Sequence, residues 1–509
     1  MEVEDLARIL QEQRGLLNHI HVSAAWVCLA RMGRGGGGWE ARMVLTDLKE
    51  ETREVLHQMG ARGIANVLHS MARLHDSRRK FTPKEGKEDR ELLEAMQRRA
   101  TATAGEFDPQ NVANVLWALA TMGEKVDREL LEAMQTRATA TAGEFMPQNV
   151  ANLMWALARM GERADSGLLE AMQRRATVTV VGFKPQAIAN LLWALASMRC
   201  RADRGLLEVM QRRVTATAWE FDPQNVANVL WALARMGERV DRGLLEAMQT
   251  RATETATGFN PQAVTNVLWA LATMGEKADP GLLKAMQRRA ETTVGEFKAQ
   301  NVANLLWALA VMGDDLGVNL AVLTGRLAAR TLALRDHFTE AQKSQLHQWL
   351  LSCELGLAPG AFLPRGVARV KKEMGEECWQ AFSRESTSSE SRLQGEVVAA
   401  LRSAGLEVEI EDEFHDARSG YSIDVLVRRR SAAGSTGGAL WAVEVDGPFH
   451  FLGDARTPSG STILKRRQLA QLGYTVVPVP FWEWDVLRGE EAKRRYLVDT
   501  LREQSETVP

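Results

Sequence analysis

"FDPQNVANVLWALATMGE", Phe107 to Glu124, decides the fold because it comes back. Near-copies begin at Phe145, Phe183, Phe221, Phe259 and Phe297, each 38 residues after the last. Weaker copies precede them ("GIANVLHSMARLH" from Gly63, "SAAWVCLARMG" from Ser23), and a divergent one, "FTEAQKSQLHQWLLSCELG", follows from Phe338. A fixed period of this size marks a stack of supersecondary units. Val112, Val115, Leu116, Leu119 and Met122 recur at helical spacing. Asp108 stands at the N-cap, Pro109 at the first helical position, and Gly123 where a left-handed residue closes a helix. A second stripe, Leu130, Leu131, Met134 and Ala138, predicts a partner helix ending near Gly143. One such pair cannot bury its own apolar face, so the pairs must stack into an α-solenoid.

The bulk numbers are those of an ordinary soluble protein: 509 residues, 45% hydrophobic and 25% charged. That length predicts two or three units. No run approaches the ~18 apolar residues of a membrane span, so no membrane partner is expected. A net charge of −2 gives no global basic signal, and any nucleic-acid contact must come from a local patch. Cys28, Cys200, Cys353 and Cys378 form no CxxC pair and no zinc site. The start, "MEVEDLARILQEQRG", opens with acids and reads as carrying no targeting peptide.

Three registers hardly vary between copies. Trp117, Trp155, Trp193, Trp231, Trp269 and Trp307 read as core, with base stacking the sharper alternative. Asn114, Asn152, Asn190, Asn228, Asn266 and Asn304 suit base reading, or a bond to a neighbouring repeat's backbone. Arg99, Arg137, Arg175, Arg213, Arg251 and Arg289 would form a cationic stripe for phosphates, unless they only offset helix C-terminal dipoles. Other positions vary inside this frame: Asn111, Asn149, Ala187, Asn225, Ala263 and Asn301 near the helix start, and Thr121, Arg159, Ser197, Arg235, Thr273 and Val311 further along. Small polar residues that change from repeat to repeat are what one-base-per-repeat reading needs. On that view replacing Asn225 changes sequence preference, while losing Arg213 weakens all RNAs alike.

The 38-residue period and the "PQNVANVLWALA" core resemble the octotricopeptide repeat of organellar RNA-binding proteins, over about residues 60–315. They are also similar to the repeats of the Fas-activated serine/threonine kinase-like family. The resemblance implies single-stranded RNA as partner, a role in organellar RNA processing, stability or translation, and a place in organellar ribonucleoprotein complexes in mitochondrion or chloroplast. Kinase chemistry has no support, because no HRD-like catalytic segment is present.

Past the polar stretch "SRESTSSESR" the pattern changes. A helix over 394–403 leads to strands "LEVEIEDEF", "YSIDVLV" and "ALWAVEVDG", then helix "STILKRRQLAQLG", strand and loop "YTVVPVPFWEW", and a last helix from near Glu491. "IDVLV", "VEVDGPFHF" and "GSTILKRRQLAQLGYTVVPVPFWEW" resemble the RAP domain, itself similar to the PD-(D/E)XK nuclease fold. That fold implies an Asp and, about twenty residues on, a Glu-x-Lys, holding Mg²⁺. Asp424 and Glu444 match the two acids, and Glu396 the helical acid of some members. Asp446 replaces the Lys, leaving Lys465 or His450 to supply a cation or base. The plainer reading makes Asp446-Gly447-Pro448 a turn and the acids local hydrogen-bond acceptors. Arg428, Arg429, Arg430, Lys465, Arg466 and Arg467 flank the cluster and read as phosphate contacts.

The expected organisation is a mostly α chain: divergent helical repeats over 1–60, octotricopeptide-like repeats over 61–315, a helical cap over 316–382, a linker over 383–392, and an α/β RAP domain over 393–503. The expected function is sequence-selective binding of single-stranded RNA, with no cofactor. The alternatives are a Mg²⁺-dependent endoribonuclease using Asp424, Glu444, Asp446 and Lys465, and a protein-binding helical scaffold.

Overall fold

The computed structural model describes residues 3–32, 39–75, 83–313, 319–357, 365–385, 391–429, 440–453 and 456–506. The Gly-rich segment between the second and third expected strands, Ser431–Gly438, together with Arg430 and residues 386–390 of the expected linker, lies outside the described residues. The chain divides into two compact units, Met1–Phe221 and Asp222–Pro509.

The first unit is all helical: α1 (Val3–Glu12), α2 (His19–Met32), α3 (Trp39–Val55), α4 (Ala61–Leu74), α5 (Pro83–Ala102), α6 (Pro109–Met122), α7 (Arg128–Ala140), α8 (Pro147–Met160), α9 (Ser166–Val178), α10 (Pro185–Ser197) and α11 (Arg204–Ala216). Helices α2, α4, α6, α8 and α10 pack side by side in one row, and α5, α7, α9 and α11 in another, a solenoid-like array. Local chemistry sets each start. The Asp108 side chain accepts the Asn111 N–H, Pro109 follows, and Gly123 at φ 73° closes α6. The second helices end slightly earlier than expected: α7 stops at Ala140, and a 3-10 turn, Ala142–Glu144, carries the chain to Phe145. The Phe residues that open the copies, Phe107, Phe145 and Phe183, are wholly buried and lock each turn into the stack.

Two polar ladders tie the rows. Gln135 Oε1 accepts from the Asp165 N–H at 2.9 Å, and Gln97 and Gln173 do the same one repeat either side. Arg137, Arg175 and Arg213 each donate through Nε to a Phe carbonyl thirty residues back, at 2.7, 2.7 and 3.2 Å. The arginine ladder is thus structural first: a guanidinium holds the one carbonyl that the turn before each first helix leaves open.

The second unit continues the pattern with α12 (Pro223–Met236), α13 (Arg242–Glu254), α14 (Pro261–Thr273), α15 (Pro280–Thr293), α16 (Ala299–Met312), α17 (Ala321–Ala333), α18 (Glu340–Glu354) and α19 (Arg365–Glu385). Then come α20 (Arg392–Ser403), β1 (Val408–His415), β2 (Ser422–Arg429), β3 (Leu440–Asp446), α21 (Gly460–Gln471), β4 (Thr475–Pro480), α22 (Phe481–Trp484) and α23 (Glu490–Glu506). The expected order of strands and helices is present. "FWEW", read as loop, is the short helix α22, with the extended Pro480 as its N-cap residue.

The sheet runs β1-β2-β3-β4, antiparallel except for the β3–β4 pair. Along β3 the side chains alternate. Trp441, Val443 and Val445 join Val397, Val398 and Leu401 of α20 and Leu497 and Leu501 of α23 in one core. Ala442, on the opposite face, joins Leu469 of α21, Leu351 of α18 and Phe382 of α19. The α/β part therefore packs directly on the last repeats of its own unit.

Candidate nucleic-acid interface and acidic cluster

In both units the first helices present the Asn and Trp registers on a half-exposed face. Asn114, Asn152, Asn190, Asn266 and Asn304 are half-buried, and none makes a side-chain hydrogen bond among the described residues. Asn228 accepts only from Gln224, at 3.0 Å. All backbone groups at mid-helix are paired internally, so these amides keep donors and acceptors for something outside. The tryptophans expected as core are mostly half-buried instead, with Trp307, at 7% exposure, the buried exception.

The helix-start asparagines are placed differently. Asn111 and Asn225 are buried, with Asp108 and Asp222 accepting from their backbone N–H groups. Asn149 and Asn301 turn back to accept from the N–H groups of Met146 and Lys298. Three residues into a helix the orphan N–H groups are nearest, so capping occupies the side chains of Asn149 and Asn301, while those of Asn111 and Asn225 are withdrawn by burial. Arg289 donates to the Phe259 carbonyl at 2.5 Å, and Arg251 pairs with Glu254.

On the α/β part, the β2–β3 register (Val425 opposite Val443) puts Asp424 beside Glu444. Asp424 Oδ2 accepts the Val445 N–H at 2.7 Å, and Lys465 Nζ lies 2.5 Å from Glu444 Oε2. Asp446 pairs with Arg466 and, at 3.0 Å, with His450 Nδ1. Glu444 and Asp446 are buried, so Asp446 ends the strand as part of the cluster. Burial pushes the Glu444 carboxyl from 4.5 up to about 7, against the pull of Lys465. Burial raises Asp424 as well, opposed by Lys465 and the Val445 N–H. Desolvation works against the Lys465 charge, but Glu444 and Asp424 outweigh it and its pKa rises. The Asp446 hydrogen bond raises His450. Glu396 stands apart, its carboxylate taken by Lys493, Trp484 and Arg392.

These residues do not fit a resident Mg²⁺. The ion needs several carboxylate oxygens facing one point. Here Lys465 takes one Glu444 oxygen, an N–H takes one from Asp424, and Arg466 and His450 take both from Asp446. Among the described residues no group of three or more Asp, Glu, His or Cys side chains is arranged to hold a metal. Glu444 Oε1 is the one cluster oxygen buried without a partner.

The basic run is likewise committed inside the molecule. Lys465 serves Glu444, Arg466 serves Asp446, and Arg467 donates to the Ala310 and Val311 carbonyls at the end of α16. Arg428 lies over the Phe414 ring, 5.3 Å from its centroid, and pairs with Glu411 on β1, away from the cluster. Sequence reasoning missed the glutamine ladder, although Gln97, Gln135, Gln173 and Gln249 repeat at the same period as the arginines. It also missed the buried network of Trp307, Gln348, Tyr421 and Gln468 beneath the sheet, whose members share no sequence period.

Among the described residues no helix is long and apolar enough to cross a membrane. Comparison with known proteins matches a RAP domain over residues 443–500. The model of the RNA-editing substrate-binding complex 6 protein matches over 44–203 and again over 168–350. A chloroplastic RAP domain-containing protein of Oryza sativa subsp. japonica is 36% identical over 117 residues, 23% of this chain and 16% of that protein. The crystal structure of an engineered protein is similar over 76% of this chain and 95% of its own, at 12% identity and a TM-score of 0.18, too low to carry an argument. With a family model matched across more than half its length, the chain belongs to the RNA-editing substrate-binding complex 6 protein family, as a helical-repeat protein carrying a C-terminal RAP domain.

Proposed function

We propose that the protein is a sequence-selective single-stranded RNA-binding protein acting in organellar RNA processing, stability or translation. One observation carries this reading: α6, α8, α10, α12 and α14 each offer an asparagine with little or no internal work beside a half-exposed tryptophan. An amide can read a base edge, and an indole can stack on its face. The names of the relatives, a chloroplastic protein and an RNA-editing substrate-binding complex protein, agree with it.

The test is selection from a randomised single-stranded RNA pool, with and without Mg²⁺, on wild type and on Glu444→Ala. Intact bound RNAs sharing a short motif are expected from both proteins. Asn152→Ala should relax preference at one position of that motif. A pool recovered without enrichment would sink the reading. Mg²⁺-dependent cutting lost in Glu444→Ala would replace it with the guided endoribonuclease.

A further inference from the structure

The RAP domain lies on the same face of the second unit's first helices as the Asn and Trp registers. Val311, one turn beyond Trp307 on α16, is 4% exposed. A β-carbon at Gly460 would stand 3.1 Å from its side chain and would overlap the Ala272 carbonyl of α14. Trp307 itself is tied through Gln348 to Tyr421. On α12 and α14 the same registers stay open: Trp231 and Trp269 are half-buried and Arg235 is exposed. The face is therefore closed at α16 and available at α12 and α14.

The segment that borders the open part is the turn between β3 and α21. Its Gly453 approaches the Gly237 carbonyl and the Arg239 N–H at the end of α12, and its Pro458 carbonyl approaches Gly275 at the end of α14. The turn is held at many points. The His450 ring pairs with Asp446, the His450 carbonyl accepts from the Ser459 N–H at 2.8 Å and from the Thr462 hydroxyl at 3.1 Å, and the Leu452 N–H donates to the Thr457 carbonyl at 3.0 Å. Between these contacts Phe449 is 98% exposed. A large aromatic ring fixed in water gives up the stabilisation of burial, and nothing in the fold of the turn uses it. Two exposed cations, Arg235 after Trp231 and Lys277 after Gly275, stand on the helix ends that the turn borders. Neither makes a side-chain hydrogen bond or ion pair among the described residues.

We propose that the described start of the β3–α21 turn, Pro448–His450, forms an end-of-strand nucleotide site, in which Phe449 stacks on a base of the bound single strand and Arg235 and Lys277 meet its phosphates. An exposed aromatic ring, with exposed cations on the helix ends that its turn borders, suits a nucleotide better than an apolar peptide, which has no use for the charges. The site rests on the RNA-binding reading and adds to it: the RAP domain sets where the bound strand stops.

The experiment uses the full chain and an RNA selected on it from a randomised single-stranded pool. 2-Aminopurine is placed in turn at each position of that RNA. In wild type one position at an end of the footprint should be quenched by stacking. Phe449→Ala should lose that quench alone and bind about tenfold more weakly, and Phe449→Trp should keep both. Phe449 lies in solvent, so folding is not at stake in either variant. If Phe449→Ala binds and quenches as wild type does, while Asn228→Ala weakens binding, the stacking site is wrong and the RNA reading stands. If wild type binds no RNA from the pool, both fall together.

Discussion

Two residues show what a single side chain contributes. Arg175 donates to the Phe145 carbonyl at 2.7 Å from a partly buried position. Losing that donor leaves a carbonyl unpaired, which costs about 1–3 kcal/mol. Arg175→Gln should lower the unfolding free energy by that much, read as a lower denaturant midpoint with the m-value unchanged, and Arg175→Lys should recover little, because the ammonium lacks the planar Nε donor. Glu444 acts through protons. Its folded pKa, about 7, lies above its ordinary 4.5, so between those values the native state holds a proton that the unfolded chain has released. Stability must then fall as pH rises from 4.5 to 7. His450, also raised, pushes in the same direction, since its charge pairing with Asp446 is lost as pH rises through its folded pKa. Thermal unfolding across this window should show the slope in wild type and a shallower one in Glu444→Gln. An equal slope in both would mean that Glu444 is ionised throughout.

At the scale of the element, α21 is the helix on which the second unit turns. Gly313 ends α16 at φ 84° and ψ −169°, outside the left-handed conformation that Gly123 and Gly237 adopt at the ends of α6 and α12. The carbonyls left open there are met by Arg467 instead, so α16 takes its C-cap from the RAP domain. Arg467→Ala should raise amide exchange in the last turn of α16 and leave the equivalent turn of α12 unchanged. Gly460→Ala should loosen the same contact by steric overlap with Ala272, read as increased exchange in α14 and α21 together. None of this was legible in "STILKRRQLAQLG". Three adjacent cations look like one patch on paper, but successive helical residues point about 100° apart, and here they reach a glutamate, an aspartate and a helix end. The helices of the repeats were legible because caps, turns and apolar stripes are local signals repeated many times. The order of the RAP strands was legible for the same reason.

For the whole molecule, the sequence carried the period, and with it the array. It did not carry the division of labour between registers. Asn111 and Asn114 are both exposed-looking polar residues in the string, yet one is buried at a helix start and the other is left with a free amide. Only packing separates them. RNA affinity should fall linearly on a log–log scale with salt, and Arg235→Gln with Lys277→Gln should each flatten that line by about 0.7. Fluorescence anisotropy over a salt series checks this, and an unchanged slope would remove both cations from the contact.

The glutamine ladder has a consequence for how such a chain can change. Gln135 reaches Asp165, thirty residues ahead, and Gln173 reaches Asp203 in the same way. Removing residues 145–182, one full period, would bring Asp203 to the place that Asp165 now holds, and Gln135 would find the same N–H donor. The joint from Gln97 to Asp127 is written in the same way at Gln135 and Gln173, so gain or loss of one of these copies by unequal recombination keeps the ladder's pairing. The length of the array, and with it the length of RNA it could follow, is free to drift while the fold stays intact.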